Sequence, residues 1–448
     1  MAKDATPMQI LEKGLLVLLG VSLCLDVPSA RAYNEHESWT EGLGKFLFHG
    51  FKDLYGIPLP FTLFEILTYL SFIAMIWTFG WPRAKFWNLM AGTAVLIPAS
   101  AFFGALVGMV RGNSLSLAAT QLHVIPLIAA WLALGYFLGQ RHGNALRLFR
   151  IIFYTSLFKA LYALYVFAFI YGMTMGGREF LIDHPTSIYL TGGIVFGIWQ
   201  LLKRDVSLKA KSFFLLAILC QSAAYLLNDR RASFTGALIA VILVPWILPR
   251  KIRRDIWPIY CTGAAVAAVA VVFMALISSD PYSFFGGFKG EVLRTELLTY
   301  RHIENFNLLS GVIKEPLLGL GFGTTYPQTI PLPDISHTFS LFAAIPHNTL
   351  YFLWTFAGPL GIGAFVTFAL TIMMLITRCG AWARTSCQLF YAVLALVICC
   401  QWMSYVLFDM GLLEARSHMV FGLIIGSLYP QYARHLMEYY DERISEKK

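Results

Sequence analysis

The stretch Pro346-His347-Asn348-Thr349-Leu350-Tyr351-Phe352-Leu353-Trp354 decides how the chain is read. A polar segment of more than sixty residues precedes it, and an apolar run follows. His347 and Asn348 therefore stand where the longest aqueous segment meets a membrane. The first turn of a helix leaves backbone N–H groups without partners, so a polar pair there can simply cap the helix. The same pair can also carry chemistry, because imidazole titrates nearest neutral pH among the common side chains. The rest of the chain has to decide between the two.

Composition settles the class. The chain has 448 residues, 58% hydrophobic and only 13% charged, whereas soluble proteins carry roughly 25% charged residues. Apolar runs near twenty residues recur along it, as expected of an all-α integral membrane protein. A β-barrel would alternate in ten-residue segments, and no such alternation is visible. The net charge of +9 is no sign of nucleic-acid binding, since the basic residues sit in short segments between apolar runs. Cys24, Cys220, Cys261, Cys399 and Cys400 lie in apolar runs, and Cys379 and Cys387 flank a basic segment. This spacing indicates neither a disulfide frame nor a zinc site. Leu15 to Leu25 fits the apolar core of a signal peptide, with Ala30-Arg31-Ala32 as a small-x-small site. We read it as an uncleaved first span.

The apolar runs predict twelve spans, near 9–27, 61–81, 87–110, 115–139, 148–172, 186–202, 210–227, 233–249, 256–278, 346–376, 386–408 and 418–436. Alternate connections are basic. They hold Arg83 and Lys85; Arg141, Arg147 and Arg150; Lys203, Arg204, Lys209 and Lys211; Arg250, Lys251, Arg253 and Arg254; Arg378 and Arg384. The positive-inside rule puts these in the cytoplasm, with both termini. The opposite connections, 28–60, 111–114, 173–185, 228–232, 279–345 and 409–417, then face outward. Residues 1–448 read as one polytopic membrane domain, with loop 279–345 between spans nine and ten as a small helical periplasmic cap. Within that loop Leu293, Leu297, Tyr300, Ile303, Phe306, Leu309 and Ile313 recur at three- and four-residue steps, predicting an amphipathic helix over 291–314 that Pro316 ends. Segment 40–56 is a second candidate for an amphipathic helix at the interface. The run Gly319-Leu320-Gly321-Phe322-Gly323 has no strand before it and no helix after it, so it reads as a tight turn and not a phosphate loop.

Three motifs in this frame resemble one family. His347-Asn348 is followed, after nine more residues, by Gly358-Pro359-Leu360-Gly361. Arg301 lies fifteen residues before Pro316-Leu317-Leu318-Gly319-Leu320-Gly321. Arg230 and Arg231 occupy a very short outward turn, against the positive-inside bias, with Arg231-Ala232 the better match to an Arg-small pair. Together these resemble the signature of the bacterial O-antigen ligase and polymerase superfamily, integral membrane glycosyltransferases that move glycans off a polyprenyl-diphosphate carrier. The family usually places an aromatic residue four positions after the loop arginine, where this chain has Asn305. A His-Pro like His184-Pro185 is also frequent there.

The resemblance implies a donor of undecaprenyl-diphosphate-linked glycan, a lipid A-core acceptor, a site on the periplasmic face of the inner membrane, and no cofactor. Arg231, Arg301 and, as the alternative register, Arg230 would hold the diphosphate, because guanidinium grips phosphate oxygens bidentately and stays charged. A metal could balance that charge instead, but the outward carboxylates are scattered and no Asp-x-Asp occurs. His347 would be the general base. In the first turn of a helix, free N–H groups, the helix dipole and neighbouring arginines would disfavour added positive charge on it. Supporting candidates are Asn348, the mid-span Lys159, with Glu65 as its suggested partner, and Arg178 and His184 at outward span ends beside Arg416 and His418. His123 and His337 stand in no motif and read as structural. Polymerases and protein O-oligosaccharyltransferases of the superfamily remain open. A transporter would show repeated halves and broken helices in matching positions, and no such halves are evident.

Overall fold

The computed structural model describes residues 7–26, 39–51, 61–80, 85–141, 143–170, 172–173, 182–183, 185–228, 231–255, 257–258, 260–262, 295–335 and 341–446. Among them the only β-type pairing is an isolated bridge between Gly50 and Thr62. The helices are α1 Pro7–Cys24, α2 Trp39–Phe48, α3 Leu63–Phe79, α4 Lys85–Val110, α5 Leu115–Leu122, α6 Leu127–Gly139 and α7 Asn144–Tyr165. They continue with α8 Thr186–Leu202, α9 Leu208–Leu227, α10 Arg231–Ile247, α11 Thr295–Lys314, α12 Thr349–Ala381, α13 Ser386–Phe408 and α14 Ala415–Glu446. Six stretches are long and apolar enough to cross a membrane, one of them the α5–α6 pair taken together, and three shorter apolar helices accompany them. The span expected over 256–278 falls largely outside the described residues.

Local sequence explains where helices begin. Thr62 and Thr385 each form a capping box, with Glu65 and Gln388. Ser114, Ser207 and Asn348 accept a first-turn N–H. The span expected over 115–139 is one apolar stretch, Leu115–Gly139, made of two helices. Pro126 cannot donate an N–H, and a turn over 123–126 separates α5 from α6.

With lipid outside, packing and not water exclusion brings helices together. Small residues make the closest approaches. On α6, Gly135 meets Gly422 and Leu423 and Gly139 meets Ser427 of α14; in return, an added Cβ would lie 2.1 Å from the Leu132 carbonyl oxygen at Gly426 and 2.6 Å from the Trp131 Cβ at Gly422. Trp402 stacks on Phe421 at 4.1 Å, and Trp199 on Phe390 at 4.2 Å. The second stack, the Phe149–Phe390 edge contact and the Gly380–Ile247 approach gather segments 141–150, 203–211, 250–254 and 378–384 at one end of the bundle. These four basic connections are therefore together, while Arg83 and the Lys85 side chain lie outside the described residues.

The other end is organised by a break in α12. Gly358 has φ 64°, ψ −161°, and Pro359 follows it. This backbone region is essentially closed to residues with a Cβ. The break frees two carbonyls that the helix would have used. Leu320 N–H donates to Thr355 O (2.7 Å) and Gly321 N–H to Phe356 O (3.1 Å). Pro359 lacks the N–H that would have reached Thr355 O, so the Gly-x-Gly-x-Gly turn repairs the helix from outside. The turn is in turn clamped by α4: Phe322 N–H donates to Gly104 O (3.1 Å), Arg111 Nη1 to Gly319 O (2.6 Å) and Asn113 Nδ2 to Phe322 O (3.1 Å). The tight turn expected from sequence is present, with positive φ at Gly319, Gly321 and Gly323. Two motifs forty residues apart thus form one structural unit.

Candidate functional site

α11 runs alongside the start of α12. Leu308 O accepts the Thr355 hydroxyl (3.1 Å), and one turn earlier Glu304 meets His347. The expected apolar face is rotated. Tyr300, Glu304, Asn307, Leu308 and Val312 are buried, while Phe306, Leu309 and Ile313 are exposed. The helix turns polar groups inward.

His347 stands before the helix, not in its first turn as expected. Asn348 is the N-cap and accepts Tyr351 N–H (3.2 Å). Among the described residues, the charged group in contact with His347 is a carboxylate. Glu304, 1% exposed, lies with Oε1 3.1 Å and Oε2 3.3 Å from His347 Nδ1, and Oε2 accepts the His347 backbone N–H at 3.2 Å. Tyr300 lies edge-on to the imidazole at 6.0 Å. Burial, then the Glu304 charge, pushes the Tyr300 and Tyr326 hydroxyls well above their ordinary range. Among the described residues the buried Tyr300 hydroxyl and the Trp354 Nε1–H have no hydrogen-bond partner.

Arg301 sits one turn before Glu304 and donates from Nη1 to Phe408 O (2.9 Å), at the end of α13. One turn back along α13, the Ser404 hydroxyl donates to Ala232 O (2.5 Å). That bond fixes the start of α10, whose first residue is Arg231. The Arg231 side chain, Arg230, Arg178 and His184 are outside the described residues. Arg301 and the start of α10 thus meet at the last turns of α13, and His347 is linked to them through Glu304, one turn from Arg301 on α11. An open cleft of about 620 Å³ lies between the end of α4 and segment 320–328, lined by Arg111, Lys314, Thr324, Thr325, Tyr326 and Gln328 among others. Among the described residues no three His, Cys, Asp or Glu side chains gather as a metal site.

Lys159 belongs elsewhere. It is fully buried and ion-paired to Asp26, which also accepts the Thr40 hydroxyl (2.5 Å). Glu65, the partner suggested by sequence, instead holds His123 at 3.0 Å at the α5–α6 break. Arg416 is likewise fully buried. It pairs with Asp183 (2.5 Å) and Glu414 (3.4 Å) and donates to Leu25 O (2.7 Å). His418 takes the Trp402 Nε1–H (3.1 Å). These groups tie α1, α7, α8 and α14 together, and their partners are internal.

Sequence reasoning missed Glu304. Its only signal was the polar and small stripe Tyr300, Glu304, Asn307, Gly311 at helical spacing. Neither a protein-family model nor a curated protein matches the chain.

Proposed function

We propose that the chain is an O-antigen ligase-type glycosyltransferase of the bacterial inner membrane. It takes glycan from undecaprenyl diphosphate and joins it to a lipid A-core acceptor. In this reading twelve spans cross the membrane, the basic end faces the cytoplasm, and the His347 end faces the periplasm. The observation that supports it is that Arg301 and the start of α10 bond to the last turns of α13, and that His347 pairs with Glu304 one turn along α11 from Arg301. Arg301 and Arg231, or Arg230, grip the diphosphate and balance the charge left when the sugar departs. His347 takes the proton from the attacking hydroxyl. Direct attack inverts the anomeric centre without a glycosyl-enzyme. The cleft beside Tyr326 has the hydroxyl, amide and cationic lining that a sugar acceptor needs. Asn348 caps the helix and sets the chain direction at His347; Lys159 supports the fold from a distance.

Purified protein supplied with carrier-linked glycan and a panel of acceptors tests the assignment. Transfer to a lipid A-core acceptor supports it. Extension of a second carrier-linked chain, transfer to protein hydroxyls or no transfer would replace it with a polymerase, an oligosaccharyltransferase or a transporter.

A further inference from the structure

We propose that Glu304 is the positioning residue for His347, fixing which ring nitrogen is free to act. The proposal rests on the reading of His347 as the base. Its geometry is specific. The two carboxylate oxygens of Glu304 face two nitrogens of one residue, the His347 backbone N–H at 3.2 Å from Oε2 and ring Nδ1 at 3.1 Å from Oε1. An ionised carboxylate only accepts, so Nδ1 must carry the proton and Nε2 presents its lone pair. Glu304 is buried, hence held by its surroundings and not by solvent.

In the reaction the acceptor oxygen forms a bond to the anomeric carbon as its proton passes to Nε2. The carbon–oxygen bond to the diphosphate breaks, and its electron pair leaves with the phosphate. The imidazolium so formed carries N–H groups on both nitrogens, and Glu304 balances its charge from the Nδ1 side. The proton then leaves to water or to the departed diphosphate, which restores the base. This is the division of labour in a base-plus-orienting-carboxylate pair.

Glu304→Gln has a defined consequence. The His347 backbone N–H still needs an acceptor and takes the single amide oxygen. The NH₂ group then faces Nδ1 and requires a lone pair there, so the proton moves to Nε2. The base is blocked although shape is kept. Full-length protein with ¹⁵N-labelled histidine, in lipid nanodiscs at mildly alkaline pH, reports this directly, with His347→Gln to assign the signal. Wild type should show a protonated Nδ1 and a bare Nε2, and Glu304→Gln the reverse. Glu304→Gln should lower kcat about 10²–10⁴-fold with donor KM unchanged. Glu304→Asp, which keeps the charge, should keep the wild-type tautomer and part of the turnover, and it decides the matter if the Gln variant does not fold. An unchanged tautomer in Glu304→Gln, or an altered one in Glu304→Asp, overturns the proposal. The tautomer is read without any transfer. If it reverses while the wild type moves no glycan, the transferase reading falls and the positioning role stands.

Discussion

Gly358→Ala tests whether the α12 break and the 319–323 turn form one unit. A Cβ at this φ and ψ costs about 1–3 kcal/mol in backbone strain alone. It would also stand 2.5 Å from Leu317 O, a backbone atom that cannot step aside by changing rotamer. Relieving that contact pushes the turn away from α12 and weakens the bonds from Leu320 N–H and Gly321 N–H, at about 1 kcal/mol each. The sum is about 3–5 kcal/mol. Gly363→Ala, in the same helix with open space around the new methyl group, is the control and should be neutral or stabilising by up to about 1 kcal/mol. Reversible unfolding of purified protein in mixed SDS micelles measures both. Equal stability of the two variants would refute the reasoning.

Four further outcomes are expected. Arg416→Met should cost about 3–5 kcal/mol, because it leaves Asp183 and Glu414 buried without their cation; adding Asp183→Asn should recover part of it in the same unfolding assay. Burial alone would raise the Asp183 carboxyl, but Arg416 and Lys159 outweigh it and hold the group below its ordinary range. A depressed folded value stabilises fully above the unfolded value of about 4 and is lost as pH falls below it, so Asp183→Asn should flatten the acid limb of the stability profile. Arg301→Ala should lower transfer about 10²-fold or more, with Lys a poor substitute because it offers a point charge without the planar fork; transfer should survive excess EDTA, and its return only with added magnesium or manganese would refute the metal-free reading.

Much of the fold is legible in the sequence because membrane helices need long apolar runs and their connections carry a charge bias. Caps at Thr62, Ser114, Ser207 and Thr385, the turn at Gly319 and the end of α11 near Pro316 are local signals. The internal partners of charged groups are not local. Lys159 finds Asp26 across 133 positions and Arg416 finds Asp183 across 233, and no spacing rule reaches that far. Glu304 was hidden for another reason. The stripe Tyr300, Ile303, Phe306, Leu309, Ile313 suggested the buried face, yet its last three members are exposed while Glu304 and Asn307 point inward. A helix at the edge of a membrane can keep apolar groups outward and polar ones against the protein. His347 and Arg301 stand out in the sequence as candidates, and the buried carboxylate that joins their two segments does not.

The central claim, transfer with His347 as the base, is tested most directly by turnover of His347→Gln measured beside its donor binding. Wild-type protein in nanodiscs, given undecaprenyl-diphosphate-linked glycan and lipid A-core, should form product with inverted anomeric configuration. His347→Gln should bind the donor as tightly and form none. Near wild-type turnover in His347→Gln would contradict the account.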